Sequence, residues 1–237
     1  MEWTPREVDA LSPILDQLAS DLGRPDGQDV LVLCSAGGHL AFWLARRMRS
    51  GRVVGLELNE GLLGASRRKA KEEGLEALVE FRKAERTRIT FPDEAFDAVV
   101  SEFIVYPTPS PTQIGQREMA RVLRPGGTLA LTDVLLTRPI PADKRAGLTA
   151  IGLDYLCEGT PGDFRKWMGD AGLTDIEVHD LTPLVRHVWE RRADADASCE
   201  HWSAYDLLLE DAALRLGRSI LYIYARGRKP RPAESPR

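Results

Sequence analysis

Cysteine is scarce in this chain: three residues, at 34, 157 and 199, among 237. So small and odd a number argues against a disulfide framework and fits a reducing cytoplasm. No run of 18 apolar residues occurs, so no membrane-spanning helix is expected. The opening MEWTPREVDA has neither the basic nor the apolar region of a secretory leader. Basic charge is not in excess either, since 32 Lys and Arg face 36 Asp and Glu, a net of -4. A nucleic-acid partner usually asks for the opposite balance, so none is expected. Internal repeats and a proper Gly-x-Gly-x-x-Gly are also missing. What is present is an ordinary globular composition, 43% hydrophobic and 29% charged, long enough for one large domain.

The chain begins with a helix signal. Thr4 is a suitable N-cap, Pro5 suits the first helical position and Glu7 closes a capping box. Val8, Leu11, Ile14, Leu15, Leu18 and Leu22 follow at helical spacing, and Gly23 is a plausible stop. Beyond residue 28 the pattern changes to short apolar runs alternating with helical stretches. Strands are expected at 29–34, 52–57, 77–82, 96–101, 128–134, 175–181 and 220–225. Helices are expected at 39–48, 61–73, 142–156, 161–171 and around 205–216. Such alternation predicts an α/β fold, a mostly parallel sheet with helices on both faces. One domain is expected over 1–227: a cover helix at 1–23, a core at 28–136, a lid with the sixth strand at 137–217, and the last strand at 218–226. The remainder, 228–237, reads as a disordered tail.

Ligands of open α/β sheets sit at the carboxyl ends of the strands. The first such loop is CSAGGH (34–39), whose small residues let a ligand approach the backbone and whose following helix offers free N–H groups. The second strand ends at Glu57, 19 residues after Gly38. A carboxylate there accepts both hydroxyls of a ribose.

Two strings then narrow the choice: FPDEAFDAVVS (91–101) and REMARVLRPGGTLALTD (117–133). With them the chain resembles the class I S-adenosylmethionine-dependent methyltransferases, in particular the group with quinone-biosynthesis C-methyltransferases and arsenite methyltransferases. The resemblance covers residues 28 to 180 and, more loosely, the last strand. It implies a Rossmann-like sheet of seven strands with the last antiparallel, and S-adenosyl-L-methionine as cofactor. Position by position it places Cys34, Ser35, Ala36 and Gly38 in the glycine motif and Glu57 with Leu58 at the ribose. Lys83, Ala84 and Glu85 fall on the adenine-side turn, and Ser101 beside the methyl group. The chain departs from the family where Val32 replaces an acid, Cys34 and Ala36 replace glycines, and Lys83 replaces an aspartate.

The implied reaction is an SN2 displacement at the sulfonium methyl, which needs alignment and exclusion of water. A base is needed only for a protonated nucleophile, and Glu102, Asp133 and His187 are its candidates. Tyr106 and Tyr155 are candidates for the acceptor pocket. Cys157 and Cys199 stand near positions where arsenite methyltransferases hold a thiophilic substrate. The Asn-Pro-Pro-Tyr-like sequence of nucleic-acid and protein amide methylases is absent after the fourth strand, which favours a small-molecule acceptor. No metal site is expected. Two rival readings stay open: a non-catalytic protein that keeps the fold for ligand sensing or partner binding, and methylation of a thiophilic acceptor such as arsenite.

Overall fold

A computed structural model describes residues 15–23, 25–33, 37–85, 88–101, 115–137, 139, 142, 157–183 and 220–232. The apolar runs form strands β1 (Asp29–Leu33), β2 (Arg52–Glu57), β3 (Val79–Lys83), β4 (Phe96–Ser101) and β5 (Leu123–Leu136). Later come β6 (Cys157–Glu158), β7 (Thr174–Asp180) and β8 (Ile220–Arg228). Helix α1 covers 15–22. It is followed by α2 (His39–Ala45), α3 (Glu60–Glu72), α4 (Gly115–Val122) and α5 (Pro161–Asp170). The sheet order is β3-β2-β1-β4-β5-β8-β7, with β6 beside β5. β1 through β5 are parallel, and β8 runs antiparallel to both of its neighbours. The expected α/β class, seven-strand path and reversed last strand are all present; the two-residue β6 is additional.

β1 is buried along nearly its whole length, because helices cover both faces of a parallel sheet. One face packs Val30, Val32, Val53, Val100 and Tyr224 against α1, α2 and α3. The other packs Leu31, Leu33, Val99, Leu129 and Ile223 against α4 and α5. Val32 is therefore a core side chain, fully buried on the α1–α3 face.

Local signals explain the helix ends. Asn59 caps α3, its side chain accepting from the Leu62 amide at 3.1 Å. Thr160 and Asp163 form a capping box on α5, with Pro161 in the first turn. The Pro125-Gly126-Gly127 turn sits inside β5 as an irregularity, between the Phe96–Leu123 and Ala98–Thr128 pairs. Only Gly126 takes a positive φ, 84°. Gly127 is glycine for a different reason: a Cβ there would lie 2.8 Å from the carbonyl oxygens of Arg124 and Asp97.

Two strings that carry the resemblance bind each other. Arg124 pairs with Asp97 at 2.6 Å and with Asp29 at 2.9 Å, and the Asp29 amide donates to Asp97 at 2.8 Å. The chain beyond the last strand differs from expectation. β8 runs to Arg228, and Lys229 donates to the Leu123 carbonyl at 2.7 Å while its backbone pairs with Gly126 and Gly127. Those bonds hold residues placed in the tail by composition alone. The helices expected at 142–156 and 205–216 lie outside the described residues, apart from residue 142, and so does 1–14 of the cover helix.

Candidate active site

β1, β2, β3 and β4 end together on one edge, and β5 passes it at Leu131. Leu33 at the end of β1 is in register with Leu56 and with Ser101, and Ser101 with Leu131. Glu57 lies one residue beyond Leu56 and pairs with Lys83. From β2 to β5 this edge spans three strand spacings, roughly 14 Å. An elongated ligand laid across it meets Glu57 first, then the exit of β1, then Ser101, then β5 at Leu131–Thr132, which runs on to Leu136.

Glu57 is 5% exposed. Its Oε1 accepts from the Asn59 amide at 2.9 Å, which fixes the carboxyl group. Its Oε2 is buried and has no partner among the described residues. A buried carboxylate oxygen left unpaired is costly unless a ligand supplies a donor. Asn59 was not singled out from sequence. An Asn two residues past a strand-end acid, opening a helix, is the signal that marks it.

Gly38 takes φ +84° and precedes α2. A Cβ there would stand 2.7 Å from Phe81 and 2.8 Å from Phe42, whose rings pack at 5.2 Å. Its demand for glycine is thus set by the core as much as by any ligand. Lys83 does not take the place of the aspartate it replaces. Its ammonium turns to the β2–α3 connection, donating to the Leu58 carbonyl at 2.8 Å and pairing with Glu60 at 2.7 Å. Ala84 is buried, and its amide donates to the Glu57 carbonyl at 2.9 Å. Glu85 is exposed beside it. Leu58 packs on the α4–α5 face of the sheet.

A small cleft of about 10 Å³ lies beneath α1. It is lined by Leu15 and Leu18 of α1, Leu40 of α2, Val100 and Ser101 of β4, Thr132 of β5 and Tyr224 of β8. Thr132 and the α1 leucines were not among the expected site residues; only strand pairing reveals that they meet. α1 is tied down by Asp21, which accepts from the Tyr224 hydroxyl at 2.6 Å and lies 3.4 Å from the Arg226 guanidinium. Burial, then the bond to Asp21, pushes the Tyr224 hydroxyl well above the ordinary tyrosine range.

Asp133 is buried at 4% exposure and pairs with Ile223 across β5 and β8. Strand alternation sets it on the same side as Leu131 and Leu135, opposite Thr132. Cys157 begins β6, paired with Leu135. Cys34, Ser35, Ala36, Glu102, Tyr106, Tyr155, His187 and Cys199 lie outside the described residues. No cluster of metal-ligating side chains occurs among the described residues. No described helix is long and apolar enough to cross a membrane.

A fixed carboxylate with one free oxygen, at the end of β2 in a sheet of this order, fits a nucleoside-bearing cofactor. Residues 30–127 match the family described as Methyltransferase domain. Methyltransferase GfsG of Streptomyces halstedii is 33% identical over 193 residues, which cover 77% of this chain and 67% of that protein. The chain belongs to the class I S-adenosylmethionine-dependent methyltransferases. The 27-O-demethylrifamycin SV methyltransferase of Amycolatopsis mediterranei is 25% identical over 94% of this methyltransferase and 85% of its own length. An arsenite methyltransferase of Halobacterium salinarum is 27% identical over 72% of this chain but only 43% of its own length. Among solved structures, the [4+2]-cyclase SpnF superposes with a TM-score of 0.75, at 22% identity, over 94% of this chain and 82% of its own. That likeness concerns the fold alone. The cofactor of this methyltransferase is S-adenosylmethionine, and the free oxygen of Glu57 suits it.

Proposed function

We propose that this methyltransferase transfers the methyl group to a small, largely apolar molecule seated at the ends of β4 and β5. The observation that carries the reading is Glu57, buried with one oxygen pinned by Asn59 and the other without a partner among the described residues. Glu57 accepts the ribose hydroxyls, and Gly38, Leu58, Ala84 and Glu85 border the nucleoside. The loop 34–36 approaches the amino-acid end. S-adenosylmethionine supplies an electrophilic methyl group on a sulfonium. The chain's part is to hold the acceptor in line with it and to keep water out.

The cleft of Leu15, Leu18, Val100, Ser101 and Thr132 supports an acceptor that is mostly hydrocarbon near its reactive atom. With α1 seated there is room for about one water. An acceptor of ordinary size therefore enters as α1 lifts, and residues 137–217 complete the cover. Glu102, Asp133 and His187 remain the proposed bases. Asp133 faces the α4–α5 side, so it reaches the acceptor only around the strand edge. The experiment is turnover of S-adenosylmethionine to S-adenosylhomocysteine with a panel of hydroxylated polyketides and quinols. Methylated product that depends on enzyme supports the reading. Cofactor binding with no turnover on any acceptor, and none when Glu57 is intact in cell extract, favours the ligand-sensing alternative.

The thiophilic alternative has one specific support, the arsenite methyltransferase relative. If arsenite is the acceptor, Cys157→Ser and Cys199→Ser each abolish metalloid binding. Indifference of both variants discards it.

A further inference from the structure

Gln116 stands in the first turn of α4 and is 4% exposed, yet neither end of its amide has a hydrogen-bond partner among the described residues. No other described side chain has two buried polar atoms left unpaired. A glutamine amide offers two donors and an acceptor, and burying them unmet costs folding free energy. Arg117 beside it is exposed, while Met119 and Ala120, three and four residues on, are buried in the α4–α5 core. Gln116 therefore lies on the inward stripe of the helix, where an apolar side chain would leave no hydrogen bond unmade.

Its height in the fold brings it to the site. β5 follows α4 directly, and its first residue, Leu123, pairs with Phe96 at the start of β4. α4 thus runs against the strands, starting toward their carboxyl ends. Its eight residues rise about 12 Å. That carries its start roughly three to four residues up β4, level with Val99 and Val100. Val99 packs on the same face, and Ser101 closes β4 just above. The end of β4 is therefore flanked from both faces, by the cleft on the α1 side and by Gln116 on the α4 side.

We propose that Gln116 is a specificity-determining residue for the methyl acceptor, which carries, away from its reactive atom, a hydroxyl beside a second oxygen. The acceptor crosses the end of β4, with its reactive atom at Ser101 and its oxygen pair against the amide. Its hydroxyl donates to Oε1 and its second oxygen accepts from Nε2, so a hydroxy-ketone or a vicinal diol meets both ends at once. This rests on the acceptor site proposed above.

The test compares vicinal-diol and hydroxy-ketone polyketides with counterparts that lack the second oxygen, on the full chain. The wild type is expected to favour the two-oxygen compound in kcat/KM by about tenfold or more. Gln116→Met keeps the length of the side chain without its hydrogen bonds, and Gln116→Leu does so in a second shape. Both are expected to bring that ratio close to one. Their affinity for S-adenosylhomocysteine by calorimetry is expected to stay within about twofold of the wild type, because the amide meets acceptor and not cofactor. Their melting temperatures are expected to hold or rise, since apolar atoms replace an unpaired amide. A preference absent from the wild type, or unchanged in both variants, overturns the proposal and marks an amide met by water within the fold. A matching loss of S-adenosylhomocysteine affinity makes Gln116 a cofactor group and overturns it as well. Should S-adenosylhomocysteine bind while no polyketide is turned over, the acceptor reading itself fails, and this proposal with it.

Discussion

At the scale of single residues, Glu57 carries the proposal, because its two oxygens differ. One accepts from the Asn59 backbone amide, and the other has no partner among the described residues. Glu57→Gln keeps an acceptor for Asn59, so it is expected to weaken S-adenosylmethionine binding less than Glu57→Ala, about fivefold by equilibrium dialysis. Gly38 and Gly37 offer a contrast. Both have φ near +85°, yet among the described residues a Cβ at Gly37 meets nothing closer than 3.9 Å, while one at Gly38 meets Phe81 at 2.7 Å. Gly37→Ala is expected to cost about 1 kcal/mol and Gly38→Ala about 2 to 4 kcal/mol in chemical denaturation. Equal costs would show that backbone strain alone decides both positions.

Glu57 was legible in the sequence as an acid closing a strand 19 residues after Gly38, where the family resemblance expects a ribose acid. Lys83 was not. Its type predicts a lost acceptor at the base, but its long stem carries the charge away to Glu60 and the Leu58 carbonyl. Composition cannot say where such a side chain points. Val32 is a similar case: a departure from the family pattern that proves to be core packing.

At the scale of elements, two attachments fasten helices to the sheet and its loops. α1 is seated by Leu15, Leu18 and Leu22 and by the bond from Tyr224 to Asp21. Tyr224→Phe removes that bond and keeps the ring. Amide exchange across 15–22 is then expected to quicken about fivefold, with β1 and β4 unchanged. Unaltered exchange would mean the leucines alone hold the helix. On α4, Glu118 accepts from Arg121 at 2.7 Å and from the Ile89 amide at 3.1 Å, and this clamp brings a pH dependence. Its bond to Arg121, first among the causes, holds the Glu118 carboxyl below its ordinary value of 4.5. The clamp's contribution is therefore complete above that value and is lost as pH falls through the lower folded value. Melting curves at about pH 5 and about pH 3 are expected to fall less steeply for Glu118→Gln than for the wild type. Parallel slopes would exclude Glu118 from the acid response.

The strings FPDEAFD and REMARVLRPGG were readable as family wording long before their mechanics were. Their residues meet across 28 positions in Arg121 and Asp93, and across 27 in Arg124 and Asp97. Such pairings have no local period to read. The cleft was invisible for the same reason, since α1, β4, β5 and β8 come together only through the sheet order.

At the scale of the molecule, the alternation of strands and helices was enough for the α/β class and the parallel core, while the reversed last strand followed from the family resemblance. The α1–α3 layer closes the face that carries the cleft, and α4–α5 buttresses the other. A fold alone does not name a reaction, and the likeness in shape to a [4+2]-cyclase illustrates it. The site decides. The most direct measurement is calorimetric titration of S-adenosylhomocysteine into the full chain and into its Glu57→Ala variant. The account predicts one-to-one binding to the wild type, weakened more than about tenfold in the variant while both remain folded. No binding to the folded wild type at millimolar ligand, or equal affinity in the two proteins, would contradict it.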